Sequence, residues 1–217
     1  MPEVIFPGPE GRLEGRYHPQ KVKDAPIAII LHPYPQFGGT MNNRVVHNLH
    51  YAFHNIGFSV LRFNFRGVGR SQGAYDQGIG ELSDAASALD YLQSMNHKSK
   101  HVWVAGVSFG AWIGMQLLMR RPEITGFVSV SPPASMHDFS FLAPCPSSGL
   151  IINGLADRVA KPKDTRNLVQ KLHEQRAITI THEEVDGAGH FFEDPHMEPM
   201  IEAVQAYVRH RLKHTTR

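Results

Sequence analysis

The chain carries a single cysteine, Cys145. One thiol cannot close an internal disulfide, so a small disulfide-stapled scaffold is excluded. Long apolar runs are missing as well, and no window reaches the roughly 20 apolar residues that a membrane-spanning helix needs. Residues Met1 to Gly15 hold Pro, Gly and acids in place of the apolar core of a signal peptide. Charge of one sign is also missing. The 22 basic and 20 acidic side chains leave a formal charge of +2, which gives no footing for a nucleic-acid partner. Charged residues make up only 19% of the chain, too few for a disordered segment. These absences point to a reduced, cytoplasmic protein.

What the chain does have is 217 residues with 41% hydrophobic content, enough for one domain with a sizeable core. Fourteen histidines stand out. Titrating together, they would raise the charge steeply below about pH 6.5. No repeat, low-complexity tract or linker divides the chain, so residues 1–217 are expected to form a single domain.

Apolar runs and helical periodicities alternate along the sequence. Strands are expected at residues 26–31, 59–65, 101–107, 125–130, 149–153 and 178–185. Helices are expected at 42–55, 80–95, 109–119, 163–175 and 195–213. This alternation implies βαβ crossovers and a mostly parallel sheet covered on both faces. Strands near Val4 and over Leu13 to Tyr17 would add an antiparallel edge. In such sheets, sites form beyond the carboxyl ends of the strands.

Gly106-Val107-Ser108-Phe109-Gly110 lies where a strand turns into a helix. A serine on so sharp a turn is strained and exposed, as a nucleophile should be. The flanking glycines keep side chains off the neighbouring chain. The Phe109 N–H, at the start of a helix, can donate to a developing oxyanion. A serine needs a base. His190, in Gly189-His190-Phe191 after the last strand, is the candidate. Asp157, also after a strand, would orient it, with Asp186 and Asp194 as rivals. A second oxyanion donor should follow the first parallel strand. In His32-Pro33-Tyr34-Pro35 the prolines have no N–H, which favours Tyr34; Gln36 and Gly38-Gly39 are alternatives.

His32 to Met41, Asn64 to Ser71, Gly106 to Gly110, Asp157 and Gly189-His190 together resemble the landmarks of compact bacterial α/β-hydrolases. These are carboxylesterase-like and related in outline to dienelactone hydrolases. The resemblance covers most of the chain. It implies an α/β-hydrolase fold and the triad Ser108, Asp157 and His190, in the chain order of that fold. Dienelactone hydrolases carry cysteine as nucleophile, and haloalkane dehalogenases and epoxide hydrolases carry aspartate. Ser108 is thus a departure from the former and disfavours the dehalogenase and epoxide-hydrolase chemistries.

Many relatives insert a helical lid between the strands ending near Val130 and beginning near Gly149. Here only a proline-bounded loop is available, with Met136, Phe139, Phe141 and Leu142. An open cleft is expected, with Tyr34, Phe109, Trp112, Met136 and Phe139 meeting the substrate. It suits small to medium esters. Thioesterase, lactonase or small-peptide hydrolase activity would use the same triad, and a non-catalytic binding protein is the alternative of another class. No cofactor is expected. A metal site at His47, His50 and His54 lacks an acidic partner, so a polar helix face is the plainer expectation. The glycines at 67, 69 and 73 lack the Lys-Ser/Thr ending of a phosphate loop and read as a structural turn. The basic tail from Arg209 to Arg217 reads as a solvated helix end. Sequence alone leaves monomer and homodimer equally open.

Overall fold

A computed structural model describes residues 2–215, so Met1, Thr216 and Arg217 lie outside the described residues. Eight strands form one sheet in the order β1-β2-β4-β3-β5-β6-β7-β8. They are β1 (Glu3–Gly8), β2 (Gly11–His18), β3 (Ile27–Leu31), β4 (Ser59–Phe63), β5 (Val102–Val107), β6 (Ile124–Val130), β7 (Gly149–Gly154) and β8 (Ile180–Val185). Pairing is antiparallel from β1 through β2 to β4 and parallel across the rest. This is the α/β-hydrolase fold expected, antiparallel edge included.

The helices are α1 (Arg44–Asn55), α2 (Ile79–Met95), α3 (Phe109–Arg120), α4 (Pro162–His173) and α5 (Met197–Thr215). Every residue of β3, β4, β5 and β7 is buried, because helices cover both faces. On one face Val45, Val46 and Leu49 of α1 and Met200, Val204 and Val208 of α5 pack on Ile30, Val60 and Trp103. On the other face α2, α3 and α4 bring Leu82, Leu89, Ile113, Leu117, Leu168 and Val169 against Ile29, Leu31 and Val104. The Asn43 side chain caps α1 by accepting the Val45 N–H at 2.9 Å. None of the helices described is long and apolar enough to cross a membrane.

The expected strand over 59–65 ends at Phe63, because Asn64 leaves the ladder. Its side-chain oxygen accepts the Met41 N–H at 2.8 Å, and its amide donates to Glu14. Gly69 is left-handed, and a Cβ there would overlap Glu14 and Asn64. Arg66 forms a buried fork with Asp84, Nη2 to Oδ1 at 2.8 Å and Nε to Oδ2 at 3.0 Å. The segment 64–71 therefore ties β4 to α2 and β2.

One expectation fails on α1. Of His47, His50 and His54, His47 is exposed, His54 half-buried and His50 buried, so the three do not share one polar face. His50 is fully buried, neither ring nitrogen has a hydrogen-bond partner among the described residues, and its ring stacks on His18 of β2 at 5.6 Å. His18 also stacks on His54 at 3.3 Å between ring centres. Burial first, then the nearby Arg62 charge, pushes the His50 pKa down to about 3. His32, also fully buried, is pushed down to about 4 by desolvation. The fourteen histidines therefore do not titrate as one block.

Candidate active site

Strand β5 ends at Val107 and α3 begins at Phe109, leaving Ser108 as the hinge between them. Its φ of 54° and ψ of −117° fall where only glycine is comfortable. A Cβ at Gly106 would overlap the Gly110 carbonyl, and one at Gly110 would overlap the carbonyls of Leu31 and His32. The turn is thus pressed against β3, and only glycines allow it.

Backbone bonds join this turn to the neighbouring strand ends. Ser108 N–H donates to Val130 O at 2.9 Å, and Ser131 N–H donates to Ile152 O at 2.8 Å. The Ser131 hydroxyl then donates to the His190 carbonyl at 3.0 Å. The Ala156 N–H donates to Ala188 O at 2.9 Å, joining the loop after β7 to the loop after β8.

His190 stands between Ser108 and Asp157. Its Nε2 lies 3.0 Å from Ser108 Oγ, and its Nδ1 lies 2.8 Å from Asp157 Oδ2. The Asp157 side chain is fully buried. Its second oxygen accepts the N–H groups of Val159 at 2.8 Å and Ala160 at 2.9 Å. The aspartate thus holds its own turn with one oxygen and the imidazole with the other. An ionised carboxylate only accepts, so Nδ1 carries the ring proton and Nε2 is free to accept the Ser108 O–H. The rivals lie elsewhere: Asp186 is exposed, and Asp194 pairs with Arg44.

The loop after β3 is positioned by His32. Its Nε2 accepts the Phe65 N–H at 3.1 Å, so Nδ1 carries the proton and donates to Pro33 O at 2.7 Å. Pro33 O and Tyr34 N–H belong to one peptide plane, and in a trans peptide they point opposite ways. Fixing the carbonyl therefore aims the amide. Among the described residues, neither the Tyr34 nor the Phe109 N–H donates to a backbone or side-chain acceptor. Gly38 and Gly39, by contrast, spend their N–H groups on Pro35 O and Tyr34 O.

The family model described as Serine aminopeptidase, S33 (Hydrolase_4) matches residues 37–149. This chain belongs to that α/β-hydrolase family. An uncharacterized protein of Rickettsia prowazekii, RP471, is 50% identical over 196 residues, which is 88% of this chain and 82% of its own. A crystal structure of ATU1826 from Agrobacterium tumefaciens, a candidate α/β hydrolase of unknown function, shares 63% identity with a TM-score of 0.94. It covers 98% of this chain and 97% of that one. XC6422 of Xanthomonas campestris, described as an α/β serine hydrolase without lid, shares 30% identity with a TM-score of 0.86, over 96% and 94% of the two chains. This hydrolase is built the same way: residues 131–148, between β6 and β7, contain one short 3-10 turn at Ser140–Leu142 and no helical insertion.

The cleft of the hydrolase is a cavity of about 420 Å³ that reaches Ser108 and His190. Of the expected contacts, Tyr34 and Met136 line it. The other three do not. The Phe109 side chain is fully buried beneath Tyr34, with ring centres 4.6 Å apart. Trp112 stacks on His137 at 4.0 Å and donates its indole N–H to Asp138 O at 3.1 Å, which pins the loop. Phe139 turns away into a separate cavity of about 500 Å³ beside α4, and Leu142 goes with it. In their place stand Phe37, Val159 and Phe191, none of them anticipated. Val159 and Phe191 lie within two residues of Asp157 and His190, and that adjacency was the available signal. Residues flanking a group that opens onto a cleft share its rim.

Proposed function

We propose that this hydrolase cleaves carboxylic esters through an acyl-enzyme on Ser108. The observation that carries this reading is the unbroken relay from Ser108 through His190 to buried Asp157, at 3.0 and 2.8 Å. Ser108 Oγ attacks the ester carbonyl while His190 Nε2 takes its proton. The N–H groups of Tyr34 and Phe109 stabilise the oxyanion, aided by the N-terminus of α3. As the tetrahedral adduct collapses, His190 protonates the leaving alcohol. The same imidazole then takes a proton from water, and the hydroxide releases the acid and restores Ser108. Asp157 holds the tautomer and stabilises the imidazolium.

The test is hydrolysis of p-nitrophenyl butyrate by the wild type and Ser108→Ala. Loss of about 10³-fold or more is expected on removing the nucleophile. A fluorophosphonate probe should label the wild type at Ser108 and leave the variant unlabelled. Undiminished turnover by Ser108→Ala would overturn the reading.

A further inference from the structure

Apart from His190, the cavity is walled by side chains with no formal charge. Phe37, Met136, Val159 and Phe191 make its apolar part, and among the described residues no Asp, Glu, Lys or Arg lines it. Of the acids in the loops that carry the triad residues, Glu193 sits against Gly189 and outside the lining, and two others are already committed. Asp157 is fully buried behind His190 and accepts three hydrogen bonds. Asp194 is paired with Arg44. The apolar side chains reach outward as well: Phe37 is 80% exposed, Met136 51% and Val159 45%. Such a rim gains by being covered with hydrocarbon.

Binding the α-ammonium group of a peptide N-terminus would require a carboxylate facing the scissile bond. Without one, an ammonium loses water and meets no partner, which is unfavourable. We infer that the acyl side of this pocket selects an uncharged, apolar acyl chain and rejects an α-ammonium, so aminopeptidase chemistry is not built into this member of the family. The cavity volume of about 420 Å³ sits near the small end for ligand pockets and suits a chain of medium length. This inference rests on the proposed ester hydrolysis at Ser108.

Two comparisons test it on the full-length protein. The first is a series of p-nitrophenyl acetate, butyrate, hexanoate and octanoate. kcat/KM should rise by up to about fourfold per methylene while the chain is being buried, and then level off. Met136→Ala, which trims the apolar wall at a half-exposed position, should flatten that rise. The second is the matched pair of p-nitrophenyl isobutyrate and L-alaninate, which differ by a methyl for an ammonium. Each kcat/KM is divided by that ester's rate of alkaline hydrolysis, because the ammonium activates its carbonyl. The isobutyrate should be favoured by about tenfold or more. Ser108-dependent turnover that is flat or falling with chain length, or that favours the alaninate, would overturn the inference and leave the esterase reading standing. Turnover that does not depend on Ser108 would overturn both.

Discussion

Replacing His50 with leucine should make the protein less sensitive to acid. In the fold His50 stays neutral down to about pH 3, whereas its ordinary value is 6.5. The unfolded chain therefore binds more protons than the native state between those values. Stability contributed by the neutral ring is complete above pH 6.5 and is lost as pH falls below it. At pH 5 the loss extends over about 1.5 pH units at about 1.36 kcal/mol each, or roughly 2 kcal/mol. His50→Leu removes this titration. It also removes two buried ring nitrogens that have no hydrogen-bond partner among the described residues. An unsatisfied buried polar group costs about 1–3 kcal/mol, so the variant should be no less stable at pH 8. Urea denaturation at pH 8 and pH 5 measures both. The wild type should lose about 2 kcal/mol more than the variant between the two pH values. An equal loss in both proteins would refute the reasoning, because it would mean that His50 does not titrate differently in the folded and unfolded states.

Asp84→Ala removes the hydrogen-bonded partner of the buried Arg66 guanidinium, the pair being 5% and 0% exposed, and leaves Glu10 at 4.0 Å. It should destabilise by about 3–5 kcal/mol in the same denaturation experiment. His32→Leu removes the group that orients the Pro33–Tyr34 peptide. It should lower kcat for p-nitrophenyl butyrate by up to about 10²-fold with little change in KM, since the oxyanion develops only in the transition state. A purely structural role for His32 would lower the melting temperature and leave kcat intact.

The sheet was legible because buried strands must be apolar. Runs such as Ile27–Leu31 and Gly149–Gly154 have no polar face to disguise them. The site was legible in part for a similar reason: Ser108 needs glycines on both sides, and those glycines show in the sequence. The paths of side chains in the β6–β7 loop did not show. They depend on distant partners, such as the Trp112 indole N–H on Asp138 O and the Gln175 side chain, which bonds Cys145 N–H and Leu142 O. No local pattern encodes those contacts, so Phe139 and Trp112 were expected in the cleft. The burial of His50 was hidden for a related reason. Periodicity marks the face of α1 but does not say that His18, on a strand 32 residues earlier, will lie across it.

The backbone bonds that run from Ser108 to Val130 and from Ser131 to Ile152, with the Ser131 hydroxyl on the His190 carbonyl, have a consequence for how the protein fails. They make Ser108 and the His190 backbone extensions of the central sheet. Amides held this way exchange with solvent only when a large cooperative unit opens. A centre built this way should lose activity on heating only as the sheet itself melts, so that residual activity would count intact molecules.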